Sequence, residues 1–119
     1  MSNITQTLIE LAEIDGAMCS SLVDSSTGMI LGDSGSGVDI ELAAAGNSEV
    51  VKAKLNTMKN LKIKERINDI LITLDTQYHI ITPLTKHEGL FIYLVLSKSK
   101  SNLALARRKV LEIEKNITL

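Results

Sequence analysis

The stretch from Val38 to Met58, VDIELAAAGNSEVVKAKLNTM, most constrains the fold, because its spacing predicts a long helix with more apolar surface than one sheet face can cover. At 3.6 residues per turn, Ile40, Ala44, Val51, Leu55 and Met58 fall on one stripe. Leu42, Ala43, Gly46, Val50 and Ala53 form a second stripe beside it. Only the sector of Glu41, Ser48, Glu49, Lys52 and Asn56 is wholly polar, so the apolar arc is roughly twice the ~100° that covers one surface. A second packing partner is expected. The small residues of the second stripe suit close backbone approach, and another copy of the chain is a candidate.

A chain of 119 residues fits a single domain, residues 1–119, with one modest core. Its 45% apolar and 23% charged content is that of a globular protein rather than a disordered or membrane one. Aromatic residues are 3% of the chain, with no Trp and the single Phe91, so the core must come from aliphatics and base-stacking platforms for nucleic acid are not expected. The net charge of −1 points to neither nucleic acid nor an anionic membrane. Its distribution is uneven: residues 1–51 carry eight acids and no Lys or Arg, whereas from Lys52 onward 13 basic residues face six acids. Three readings fit this asymmetry: halves that fold against each other, a solvated spread of charge, or a polar docking surface for a protein.

Cys19 is the only cysteine, which leaves no internal disulfide and fits a reducing cytosol. Set in an apolar run, it reads as a buried inert thiol. The polar start, Met-Ser-Asn, lacks a signal-peptide pattern, and no run approaches the ~20 apolar residues needed to cross a bilayer. A cytoplasmic location without membrane insertion is expected.

In chain order, Ser2 or Asn3 can cap a first helix bearing Ile4, Leu8, Leu11 and Ala12, which Asp15-Gly16 can end. Ala17 to Asp24 reads as a strand, Ser25-Ser26-Thr27-Gly28 as a turn, and Met29 to Leu31 as a short return strand. Gly32 to Gly37 reads as a flexible loop delivering the chain to Asp39, or a neighbour, as the cap of the long helix. Lys59 to Arg66 is a basic connector with Leu61 and Ile63 as apolar anchors. Ile70 to Leu74, Tyr78 to Leu84 and Leu90 to Leu96 read as three more strands, Pro83 lying near a strand end and the nearly unbroken apolar last strand lying centrally. Asn102 caps a final helix to about Lys115, with Leu103, Ala106, Val110, Ile113 and Ile117 buried. Arg107 falls beside that stripe, where its stem can cover apolar surface while its head finds a carboxylate.

Chemistry-bearing motifs are weak. Gly32-Asp33-Ser34-Gly35 resembles the surroundings of a protease nucleophile, but the only histidines, His79 and His87, fall in or beside a later strand pair. No Gly-Lys-Ser or Gly-Lys-Thr follows the glycines, so there is no phosphate loop. Two histidines without nearby Cys or spaced carboxylates make a poor metal set. No catalytic residue, cofactor site or metal site is assigned.

From the third strand to the last helix, the segments Asp69 to Leu74, Gln77 to Leu84, Gly89 to Leu96 and Asn102 to Arg107 resemble the Roadblock (dynein light chain 7) domain. Upstream, Ile14-Asp15-Gly16-Ala17, Leu22-Val23-Asp24, Thr27-Gly28 and Ala44-Ala45-Gly46-Asn47 match in order, and the bacterial MglB-like branch is nearest. The resemblance implies an α+β fold of order α-β-β-α-β-β-β-α. Its five-stranded antiparallel sheet, ordered 2-1-5-4-3, has the long helix on one face and the terminal helices on the other. It further implies a homodimer, or a heterodimer with another such chain, formed through the long helix and the edge third strand. The seam residues are then Leu42, Ala43, Gly46, Val50, Ala53, Ile70, Leu71 and Ile72. By resemblance the chain is a non-catalytic regulator or scaffold binding a small Ras-like GTPase and stimulating its GTP hydrolysis. The polar sector of the long helix, at Glu49, Lys52 and Asn56, is the candidate contact surface for the GTPase, chosen on its polarity and not on any matched motif. A plain dimeric scaffold without effect on hydrolysis, or a small-molecule sensor, are the alternatives.

Overall fold

The computed structural model describes residues 3–119. The elements are α1 (Ile4–Ala12), β1 (Ala17–Asp24), β2 (Met29–Gly35), α2 (Ile40–Asn60), β3 (Ile70–Thr73), β4 (Gln77–Pro83), β5 (Leu90–Ser97) and α3 (Leu103–Lys115), with a short 3₁₀ turn at Lys98–Lys100. Each α-helix starts where a side-chain oxygen accepts from an amide left free in the first turn. Asn3 accepts from Gln6 N at 2.8 Å, Asp39 from Leu42 N at 3.2 Å and Asn102 from Leu105 N at 3.1 Å. The alternative first cap, Ser2, lies outside the described residues.

The strands form one antiparallel sheet in the order β2-β1-β5-β4-β3. Alternation along the strands sends two sets of side chains to opposite faces. Leu22, Ile80, Ile92, Leu94 and Leu96 pack under α1 and α3 against Leu11, Ala106, Val110 and Ile117. Cys19, Val23, Ile81, Phe91, Tyr93 and Val95 pack under α2 against Ala44 and Val51. Central β5 is therefore covered on both sides, and its residues from Phe91 to Leu96 are buried, as its unbroken apolar run requires.

Three expectations need correction. Gly32 to Gly35 is not loop but the second half of β2, pairing with β1 through Gly32↔Leu22 to Gly35↔Cys19. The glycines serve close packing: a Cβ on Gly32 would stand 2.8 Å from Ile4 Cγ2 of α1, and one on Gly35 would collide with the Met18 carbonyl oxygen. On α2, Ser48 belongs to the sheet-facing side, 2% exposed with its hydroxyl donating to the Ala44 carbonyl at 2.7 Å. A serine that bonds back to its own helix loses its polar demand and can sit in a core. Leu55, assigned inward, is 48% exposed, and the expected anchors Leu61 and Ile63 are 63% and 40% exposed.

Arg107 behaves as expected. Its Nε and Nη2 donate to Oδ2 and Oδ1 of Asp69, each at 2.8 Å. The fork clamps α3 to the residue preceding β3.

Candidate functional site

Apart from Leu55, the two stripes of α2 separate in the structure. Ala44, Ser48, Val51 and Met58 face the sheet and are buried. Leu42, Gly46, Val50 and Ala53 are exposed and Ala43 is half-buried, Leu42 being 71% open. α2 packs chiefly over β1 and β2, so the same face of β4 and β3 is only partly covered. A trough runs along that side of the helix. In its first part Leu42, Ala43, Gly46 and Asn47 overlook His79 and Tyr93 around a volume of about 310 Å³. In its second, Val50, Lys54 and Met58 face Ile63 and the run from Glu65 to Ile70 around about 510 Å³.

β3 closes the sheet beyond the trough. Its four residues pair with β4 alone, from Ile70↔Ile81 to Thr73↔Tyr78, and its other edge has no strand beside it among the described residues. Ile70, Leu71 and Ile72 are half-buried. Ile70 joins the cluster under α2 and Leu71 the cluster under α3. An open aliphatic edge of this kind is a template for strand addition.

The trough floor carries one polar group. His79 Nδ1 lies 2.9 Å from the Tyr93 hydroxyl and Nε2 lies 2.9 Å from Gln77 Oε1, with the His79 and Tyr93 rings edge to face at 5.5 Å. A neutral ring satisfies both contacts by donating from Nε2 to Gln77 and accepting at Nδ1 from Tyr93. Burial holds the His79 pKa below its usual value. Burial likewise raises the Tyr93 phenol, with the nearby Cys19 adding to the rise and a hydrogen bond with Asn47 opposing it. Cys19 is 5% exposed and burial raises its thiol, which fits an inert thiol rather than a nucleophile.

Glu49, Lys52 and Asn56 stand together on the outer polar side of α2, away from the trough. All three are exposed, and Lys52 Nζ meets Glu49 Oε1 at 3.4 Å. Ser34 lies in β2, with β1 and β5 between it and β4. It is therefore about three strand spacings, ~14 Å, from His79 on β4. Among the described residues no three His, Cys, Asp or Glu side chains gather as a metal site.

Two features were missed in the sequence. His79 and Tyr93 form the trough floor because the β4–β5 register and strand alternation bring them onto one face; the signals in the sequence were His79 in β4 and the lone Tyr93 in the aliphatic run of β5. Glu114, 3% exposed, accepts at Oε1 from Thr85 N at 2.5 Å and Thr85 Oγ1 at 2.6 Å, tying the β4–β5 turn to α3.

No family model matches the sequence, and no curated protein matches it. Solved structures do. A Roadblock/LC7 domain from Streptomyces avermitilis superposes with a TM-score of 0.80 at 13% identity, over 96% of this chain and 93% of that one. An MglB solved in a tetrameric arrangement gives 0.81 at 14%, over 94% and 82%. Myxococcus xanthus MglB gives 0.78 at 15%, over 92% and 89%. At these identities what is shared is the fold, and the fold of this chain is that of a Roadblock/LC7 domain.

Proposed function

We propose that the chain works as a homodimeric, non-catalytic regulator that binds a small Ras-like GTPase and stimulates its GTP hydrolysis. The observation that carries the dimer is the trough: an exposed small-residue stripe on α2 lies beside a half-covered sheet face that ends in an unpaired edge strand. A second α2, laid antiparallel along the first, covers the stripe from Leu42 to Ala53, leaving the Ile63 end of the trough open, and a second β3 closes the edge, within closed two-fold symmetry. The seam then comprises Leu42, Ala43, Gly46, Val50 and Ala53 with Ile70, Leu71 and Ile72.

The GTPase is the finer part of the proposal. Structural likeness to MglB supports it by analogy of fold. The outer sector of Glu49, Lys52 and Asn56, clear of the trough, is the surface left to such a partner. The chain's contribution is binding and positioning, since it offers no phosphate loop or nucleophile–base pair of its own.

The test is capture of purified small GTPases by the immobilised protein in the GDP-bound and GTP-analogue-bound states, followed by a hydrolysis assay on any GTPase retained. Preferential capture of the triphosphate state and faster hydrolysis are expected. Capture without nucleotide preference would leave a plain scaffold.

A further inference from the structure

Six of the 13 basic residues fall in the fifteen positions from Lys52 to Arg66, where Glu65 is the only acid. All six are exposed. They are densest where α2 ends: Lys59, Lys62 and Lys64 alternate with Leu61 and Ile63, whose aliphatic side chains are 63% and 40% exposed. This tip is closed by a specific backbone device. Ile63 N donates to the Met58 carbonyl at 2.9 Å and Lys62 N to the Lys59 carbonyl at 3.1 Å, the paired bonds of a Schellman motif. The motif needs one residue in the left-handed region, and here that residue is Lys62, at φ 59°.

Among the described residues Lys62 is the only non-glycine with positive φ. Glycine is what this position ordinarily takes, and a side chain there strains the backbone. The Lys62 ammonium has no hydrogen-bond or ion-pair partner among the described residues. The strain therefore brings no contact within the fold, and the charge it displays is directed outward.

We propose that the tip of α2 docks on an anionic lipid surface, the lysines meeting headgroups while Leu61 and Ile63 enter the interface. The composition favours lipid over an acidic protein. Protein interfaces are depleted in Lys and enriched in aromatics and Arg, whereas this patch has five Lys to one Arg and no aromatic residue. A lipid surface needs no shape complement, only cations and short apolar insertions. The acids of α2, Glu41 and Glu49 with the cap Asp39, lie in its first half, and Glu10, Glu13 and Asp15 lie on α1 or just after it, across the sheet, so the basic C-terminal end of α2 leads on approach. The attachment is peripheral, since no helix among the described residues is long and apolar enough to cross a membrane.

The test is sedimentation with vesicles of about 30% phosphatidylserine in phosphatidylcholine against pure phosphatidylcholine, at salt near 0.1 M and near 0.5 M. Binding to the anionic vesicles alone, lost at the higher salt, is expected. Lys59→Glu with Lys64→Glu should reduce it to the phosphatidylcholine level, and Leu61→Ser should weaken it severalfold without removing the salt dependence. Lys62→Gly is the sharpest variant: it relieves the strain, so the thermal midpoint should rise while binding falls. Equal sedimentation with both vesicle types, or none with either, would overturn the proposal. Undiminished binding by the Lys59→Glu, Lys64→Glu protein or by Lys62→Gly would overturn it equally.

Discussion

A Cβ added at Gly46 meets nothing within 4 Å, so packing inside the protomer gives no reason for glycine in mid-helix, where it costs about 1 kcal/mol against alanine. Under the paired reading the reason is the backbone of a second α2. Gly46→Leu should leave the isolated protomer as stable as before or more so, yet shift the light-scattering mass from two chains to one; joint loss of folding and pairing would refute this use of Gly46. Gly35 is the contrasting control. At φ 82°, and with the Met18 carbonyl oxygen where a side-chain methyl would have to stand, Gly35→Ala should cost about 2 kcal/mol or more in chemical denaturation. His79 sets a pH dependence whose sign follows from its lowered pKa. The unfolded ring titrates near 6.5 and the folded ring below that, so between the two values the unfolded chain binds more proton. Stability is full above the unfolded pKa, falls as pH drops through it, and levels off below the folded pKa. Thermal midpoints across this range should show that decline in the wild type and a smaller one in His79→Gln.

Between elements, the Arg107 fork is the tie that matters most for the seam, because it fixes the lead-in to β3 from the opposite face of the sheet. Asp69 is nearly buried, its side chain 8% exposed, whereas Arg107 is 45% exposed. Solvent screening keeps the pair to about 1 kcal/mol. Arg107→Ala should lower stability by that order and speed hydrogen exchange at the β3 amides more than at β5. Arg107→Lys should restore part of the stability, lacking the second donor of the fork. Arg107 was legible because a long cationic side chain beside an apolar stripe needs a carboxylate, although its partner, 38 positions earlier, was not. The strands were legible from aliphatic alternation, and the helix starts from Asn3, Asp39 and Asn102. The second half of β2 was hidden because Gly32 and Gly35 carry no side chain to alternate, and both glycines answer to neighbours on α1 and β1. Ser48 misled because its hydroxyl is satisfied within its own helix. The α2 stripe of the trough could be read locally; its floor of His79 and Tyr93 is a product of strand register, which no local pattern displays.

On the scale of the whole molecule, each sheet face has a different state of completion. The face under α1 and α3 is sealed by two helices, while the face under α2 is sealed over β1 and β2 and left as a trough toward β3. One helix cannot span five strands, and the uncovered half is where the helix keeps its second apolar stripe. Under the paired reading a second copy covers the unsealed half of the α2 face and pairs the two β3 edges, and stability then depends on concentration. Light scattering at micromolar concentration should therefore return twice the 13.0 kDa chain mass, and the thermal midpoint should rise on each tenfold increase in concentration. Ile72 is the position that separates pairing from folding, because it stands opposite His79 in the register, half-buried on the trough side of the edge strand. Ile72→Asp should give a folded monomer whose midpoint no longer moves with concentration, whereas a concentration-independent midpoint and single-chain mass in the wild type would remove the seam from the account altogether.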